Sequence, residues 1–121
     1  MLRGLNMDRQ LLISSLIEYA GRNHSNTEVV ATDSMGRVHR TNWTEVHRRA
    51  QQVSGALVSE GIKPGDRVGT IGWNDHRHLE VYYGITGIGA VLHTVNPRLR
   101  EEQIAWIINT HKSNYLSKKP D

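Results

Sequence analysis

"RVGTIGWNDHRHLEVYYGITGIGAVLHTVNP", residues 67–97, decides the fold. Its opening, Arg67 to Gly72, is a short β-favouring run flanked by turn residues, as a buried strand is. Asn74-Asp75 supplies a cap, and Leu79, Tyr82, Tyr83 and Ile85 follow as the apolar positions of a helix. Val91 to Val95 reads as the next strand. Asn96-Pro97 stops it, because proline cannot donate to a ladder and keeps its predecessor out of helical backbone. Gly84, Gly87 and Gly89 would weaken an exposed helix, so they predict close packing against a sheet. A strand, a helix and a strand at this spacing imply a right-handed parallel crossover.

The elements on either side extend the pattern. A helix from about Arg100 to His111 carries Glu101 and Glu102 in its first turn, where the helix dipole favours them, and Ile104, Ile107 and Ile108 on one face. Upstream, Lys63-Pro64-Gly65-Asp66 is a turn into the first strand. Before it, Val46, Ala50, Val53 and Leu57 mark a helix that Asn42 and Glu45 cap as a box. Gly61 is its left-handed terminal residue and Pro64 prevents continuation. Glu28 to Asp33 and Val38 to Thr41 form a hairpin through Ser34-Met35-Gly36. Leu12, Ile13, Leu16, Ile17 and Ala20 define an amphipathic first helix, capped by Asp8 and ended by Gly21. The fold class is α/β: a helix and a hairpin, then a parallel βαβα unit with an incomplete sheet. After the last helix an apolar strand is expected, whereas residues 112–121, KSNYLSKKPD, are polar.

Composition narrows the function classes. A chain of 121 residues, 37% hydrophobic and 22% charged, suits one soluble domain. With no cysteine, thiolate metal sites, disulfides and cysteine nucleophiles are excluded, and a cytoplasmic location is expected. The net charge of +3 is dispersed, so Arg37 to Arg40 and Arg48-Arg49 read as solvated faces and no nucleic-acid partner is expected. Glu18 interrupts the N-terminal apolar stretch, which therefore lacks a signal-peptide layout. No apolar run approaches the roughly 18 residues of a membrane span.

The residues that invite chemistry lack the company chemistry needs. His76 and His78 diverge on a helix and share no acidic partner at ligand spacing, so the segment from Asn74 to His78 is expected to cap and face solvent. His93, inside an apolar strand, is expected in the core with a hydrogen-bond partner. "GTIGWND", residues 69–75, misses the third glycine of a dinucleotide loop and puts Trp73 where phosphate needs backbone access. Ser14-Ser15 and Ser54-Gly55 lack the elbow of a hydrolase nucleophile. Trp43, Trp73 and Trp106 are expected as packing anchors. No catalytic, cofactor-binding or metal-ligating residue is assigned.

The stretches "MDRQLLISSLIEYA", "VHRTNWTEVHRRAQQVSGAL", "GIKPGDRVGTIGWNDHRHLEVYYGITGIGAVLHTVNPRL" and "EEQIAWIIN", in this order, resemble the beginning of the AMP-forming acyl-CoA synthetases, and within them the fatty-acid–CoA ligases of the adenylate-forming superfamily. The resemblance runs from about Met7 to Asn109 and implies the N-terminal portion of the large domain. It makes residues 1–121 a partial AMP-binding domain with a divergent polar tail at 112–121. It also implies, for a complete family member, formation of an acyl-adenylate from ATP with Mg²⁺, then transfer of the acyl group to coenzyme A. Fatty acid, ATP and CoA are thus partners of the complete enzyme only. The family's Ser/Thr/Gly-rich phosphate loop ending in Pro-Lys, its Thr-Glu stretch, its ribose-binding aspartate and its C-terminal lysine have no counterpart here, so the chain is expected to be a truncated, inactive fragment. Homodimerisation through N-terminal-domain surfaces is a further implication of the resemblance. The alternatives are a non-enzymatic module that pairs with itself or with a full-length ligase, and a small nucleic-acid binder.

Overall fold

The structure, a computed structural model, describes residues 10–111 and 114–117. Its elements are α1 (Ile13–Asn23), β1 (Glu28–Thr32), β2 (Val38–Asn42), α2 (Trp43–Ser59), β3 (Arg67–Ile71), α3 (His76–Gly87), β4 (Val91–Val95), α4 (Glu101–His111) and β5 (Asn114–Ser117). The expected α/β order is present. β1 and β2 pair antiparallel as a separate hairpin, while the second sheet runs β4-β3-β5 and is parallel throughout. β3 is therefore central, and its Val68, Gly69 and Thr70 are buried.

β5 is the strand that the polar tail does not announce. Its backbone pairs with β3 from Val68↔Asn114 to Ile71↔Ser117. A buried parallel strand needs hydrogen-bond partners along both sides. That backbone demand is met here by a segment with no apolar run.

Local chemistry sets the helix ends. The Asn42 side chain accepts from Glu45 N–H at 2.9 Å and starts α2. The return arm of the box is not made, since the Glu45 carboxylate takes Arg48 instead. α2 ends in a Schellman pair: Ile62 N–H donates to Leu57 C=O and Gly61 N–H to Val58 C=O, both at 3.0 Å. Gly61 sits at φ +87°, where other residues are strained. In the Lys63–Asp66 turn, Gly65 has the same φ, and the Asp66 carboxylate accepts from Lys63 N–H at 2.8 Å. That turn also ties β3 to β4, through Gly65 N–H to Gly89 C=O and Val91 N–H to Asp66 C=O.

α1 differs from expectation at both ends. It starts at Ile13 without a side-chain cap, and Asp8 lies outside the described residues. It also runs through Gly21 to Asn23, because Gly21 answers packing and not termination: a Cβ there would meet His47 Nδ1 on α2 at 3.0 Å.

The core forms where α2 and α3 lie against the sheet. Leu57, Val68, Ile85 and Ala90 make its buried cluster, with Val53, Ile62, Val81, Ile88 and Leu92 around them. Each fully buried aliphatic side chain contributes about 1.5–3 kcal/mol. The glycines of α3 serve this layer, though against a helix and not against the sheet. A Cβ on Gly84 would stand 2.6 Å from Val53 Cγ1, and Gly87 lies beside Ser54 Oγ, which donates to Gly84 C=O at 2.8 Å. α4 buries no residue completely, and its Ile104, Ile107 and Ile108 are half-buried.

Candidate functional site

In open α/β sheets, ligands approach the carboxyl ends of the strands, in the crevice where neighbouring connections leave to opposite faces. With order β4-β3-β5, right-handed crossovers put α3 and α4 on opposite faces, so that crevice lies between the ends of β3 and β4. Its floor comes from residues 72–75 after β3 and residues 96–98 after β4. Asn96 shapes the second loop: its side chain accepts from Arg98 N–H at 2.9 Å and its carbonyl from Leu99 N–H at 3.2 Å. "NPRL" is thus a turn that ends β4. The same turn lifts the Arg98 guanidinium over the Trp73 ring, 5.2 Å from its centroid. Both residues remain exposed to solvent.

The N-terminus of α3 opens beside this crevice but is not vacant. The Asp75 carboxylate accepts from Arg77 and His78 N–H, at 2.9 and 3.0 Å. The amides that a phosphate would need are thereby occupied by the protein's own anion. Ser15 Oγ donates to Leu12 C=O at 2.6 Å and Ser54 Oγ to Gly84 C=O, so these hydroxyls serve backbone carbonyls and not a catalytic base.

A second concavity, about 550 Å³, lies between the hairpin and the helices α2 and α3. Arg37, Arg40, Arg49, Arg77, His39 and His76 line it. The cationic groups are mostly engaged: Arg37 with Asp33 at 2.7 Å, Arg40 with Glu28 at 2.8 Å, and Arg49 with Glu80 at 2.6 Å. Arg37 donors hold the Asp33 carboxyl below its usual range, first through the backbone N–H and then through the side chain. Arg48 likewise depresses Glu45.

The Arg49–Glu80 pair corrects the reading of Arg48-Arg49 as a purely solvated face. The Glu80 side chain is only 4% exposed, so Arg49 is the partner that makes its burial between α2 and α3 tolerable. The segment from Asn74 to His78 caps α3 through Asp75, as expected, but does not all face solvent. His76 is half-buried with its ring stacked on His39, centroids 3.7 Å apart and planes 17° from parallel. Burial, then the neighbouring His39, lowers the affinity of His76 for a proton. His93 is half-buried and not in the core, its ring tilted against His111 of α4 at 4.7 Å. Of the three tryptophans expected as anchors, only Trp43 is half-buried, whereas Trp106 is 64% exposed.

Mg²⁺, which the family resemblance implies for a complete enzyme, finds no fit in these residues. Among the described residues no group of three His, Asp or Glu converges on one point, and the carboxylates of Asp33, Glu28, Glu45 and Glu80 already face arginines. A groove of about 370 Å³ between α1, α2 and α3 is edged by Ser14, Glu18, His47, Ser54 and Tyr83, and there the Ser54 hydroxyl is given to Gly84 C=O. Sequence reasoning missed the contacts Trp73–Arg98, Arg49–Glu80, His39–His76 and His93–His111. Their members lie in different elements, and the only local signal was a glutamate on the apolar side of a helix.

Comparison with known proteins places this geometry. The chain is 50% identical over 113 residues to the 3-methylmercaptopropionyl-CoA ligase of Ruegeria lacuscaerulensis, covering 93% of this chain and 21% of the relative. It is 50% identical over 106 residues to the medium-chain-fatty-acid–CoA ligase of Ectopseudomonas oleovorans, covering 88% and 19%. The chain thus spans about a fifth of the length of the curated relatives it matches. Among solved structures, the fatty acid AMP ligase from Legionella pneumophila superposes with TM-score 0.76 at 16% identity, over 91% of this chain and 20% of that one. VinN superposes with TM-score 0.78 at 20% identity, over 88% and 28%. These two show the shared fold. The family described as AMP-binding enzyme matches residues 17–119, most of the chain, and the protein belongs to that AMP-binding enzyme family.

Proposed function

We propose that residues 1–121 form a partial domain, the opening scaffold of an ATP-dependent fatty-acid–CoA ligase, and that alone they activate no acid. In the complete enzyme the reaction would join a carboxylic acid to ATP as an acyl-adenylate and pass the acyl group to CoA. The observation that carries this reading is the 50% identity to two named CoA ligases over about a fifth of their length. The side chains support it: Glu28, Asp33, Glu45 and Glu80 are bound by arginines, Asp75 by helix amides, and Ser15 and Ser54 donate to carbonyls. The role left to these residues is to hold the ends of β3 and β4, with Trp73 and Arg98, at the edge where substrates are approached.

A cytoplasmic location is part of the proposal. No helix of the described residues is long and apolar enough to cross a membrane. Homodimerisation is also part of it, supported by the outer face of α1, where Leu12, Leu16 and Tyr19 are exposed. The test is thioester formation. Purified chain given a fatty acid, Mg²⁺-ATP and CoA should produce no more acyl-CoA than a heat-treated control, and production above that control would refute the proposal.

A further inference from the structure

We propose that His39 and His76 form a proton-sensitive latch that holds the β1–β2 hairpin against the start of α3 and releases it on acidification. The hairpin shares no strand with the parallel sheet; β2 leads straight into α2, and β1 packs against α3. Strand alternation sends Val29, Ala31, His39 and Thr41 to one side of it, and there the His39 ring lies flat on that of His76. Two neutral imidazoles stack favourably. A protonated one must find counter-charge and an acceptor for each N–H.

The surroundings offer His76 little of either. Its Nδ1 is buried without a hydrogen-bond partner. From its own helix, Asp75 and Glu80 would favour the proton and Arg77 would oppose it. From α2 come Arg49 and Glu45, and from the hairpin Arg37, Arg40 and Asp33, all lining the same cleft. The carboxylates in this set are committed: Asp75 to two amides, Glu80 to Arg49, Glu45 to Arg48 and Asp33 to Arg37. Burial and the neighbouring His39 therefore outweigh the favourable fields of Asp75 and Glu80 at His76.

The sign follows from linkage. Docked His76 binds a proton less readily than a free imidazole, whose ordinary value is 6.5, with burial the first cause. The released hairpin binds more protons, so docking is at full strength above 6.5 and weakens as pH falls below it. The weakening ends once the docked ring itself titrates. Release would open the 550 Å³ cleft along its hairpin side.

Amide hydrogen exchange on the whole 121-residue chain tests this, compared at about pH 7.5 and about pH 5.5 after correction for intrinsic rates. Hairpin amides should lose protection on acidification, while β3 and β4 amides keep theirs. His76→Gln should flatten that response. Imidazole proton spectra of the unaltered chain give a second reading, with a cross-peak between the two rings at high pH and a His76 midpoint below 6.5. Hairpin protection that ignores pH, a His76 midpoint at or above 6.5, or no contact between the rings would each overturn the latch.

Discussion

Gly84 shows what a missing side chain does. With Val53 Cγ1 at 2.6 Å and Ala50 C=O at 3.0 Å from the position a Cβ would take, Gly84→Ala forces α2 and α3 apart. Overpacking of this kind costs about 1–3 kcal/mol, to be read as a lower urea midpoint with little change of slope. Arg49→Met leaves the buried Glu80 carboxylate without its partner. Because Arg49 is 46% exposed, water relieves part of the loss, and about 1–2 kcal/mol of destabilisation is expected in the same assay. Asn42, Gly61 and Pro64 were legible in the sequence because caps and turns are local. Gly21 and Gly84 were misread, as a stop and as sheet contacts, because the atoms they admit, on His47 and Val53, come from another helix that periodicity cannot place.

At the scale of elements, the hairpin and β5 carry the tests. The Asp33 carboxylate bonds Met35 and Arg37 N–H across the hairpin turn, both at 2.9 Å, and its proton affinity is depressed. The turn is therefore held above the ordinary carboxyl value of 3.8 and loosens as pH falls through and below it, an event separate from the histidine step that begins below 6.5. Exchange of Met35 and Arg37 amides should accelerate only in the lower window. Ending the chain at His111 removes β5 and bares one side of β3. At about 0.5–1.5 kcal/mol per hydrogen bond, a loss of a few kcal/mol should appear as a markedly lower melting temperature. The helices, the hairpin and the two apolar strands were readable from their own periods. β5 was not, because its place is decided by the backbone needs of β3 and not by any apolar pattern in residues 114–117.

For the molecule as a whole, the βαβα order predicts the parallel sheet, and the sheet order then locates the crevice at the carboxyl ends of β3 and β4. Trp73 and Arg98 meet there through the topology, across 25 residues of chain. No catalytic constellation was legible in the sequence; in the structure Glu28, Asp33, Glu45 and Glu80 face arginines, and the helix N-terminus that could seat a phosphate holds Asp75. The central claim is that these residues support a ligase without handling nucleotide. Isothermal titration of the purified chain with Mg²⁺-ATP is its most direct test. The account predicts no saturable heat up to about 1 mM nucleotide, and a saturable isotherm with Kd in the micromolar range would contradict it.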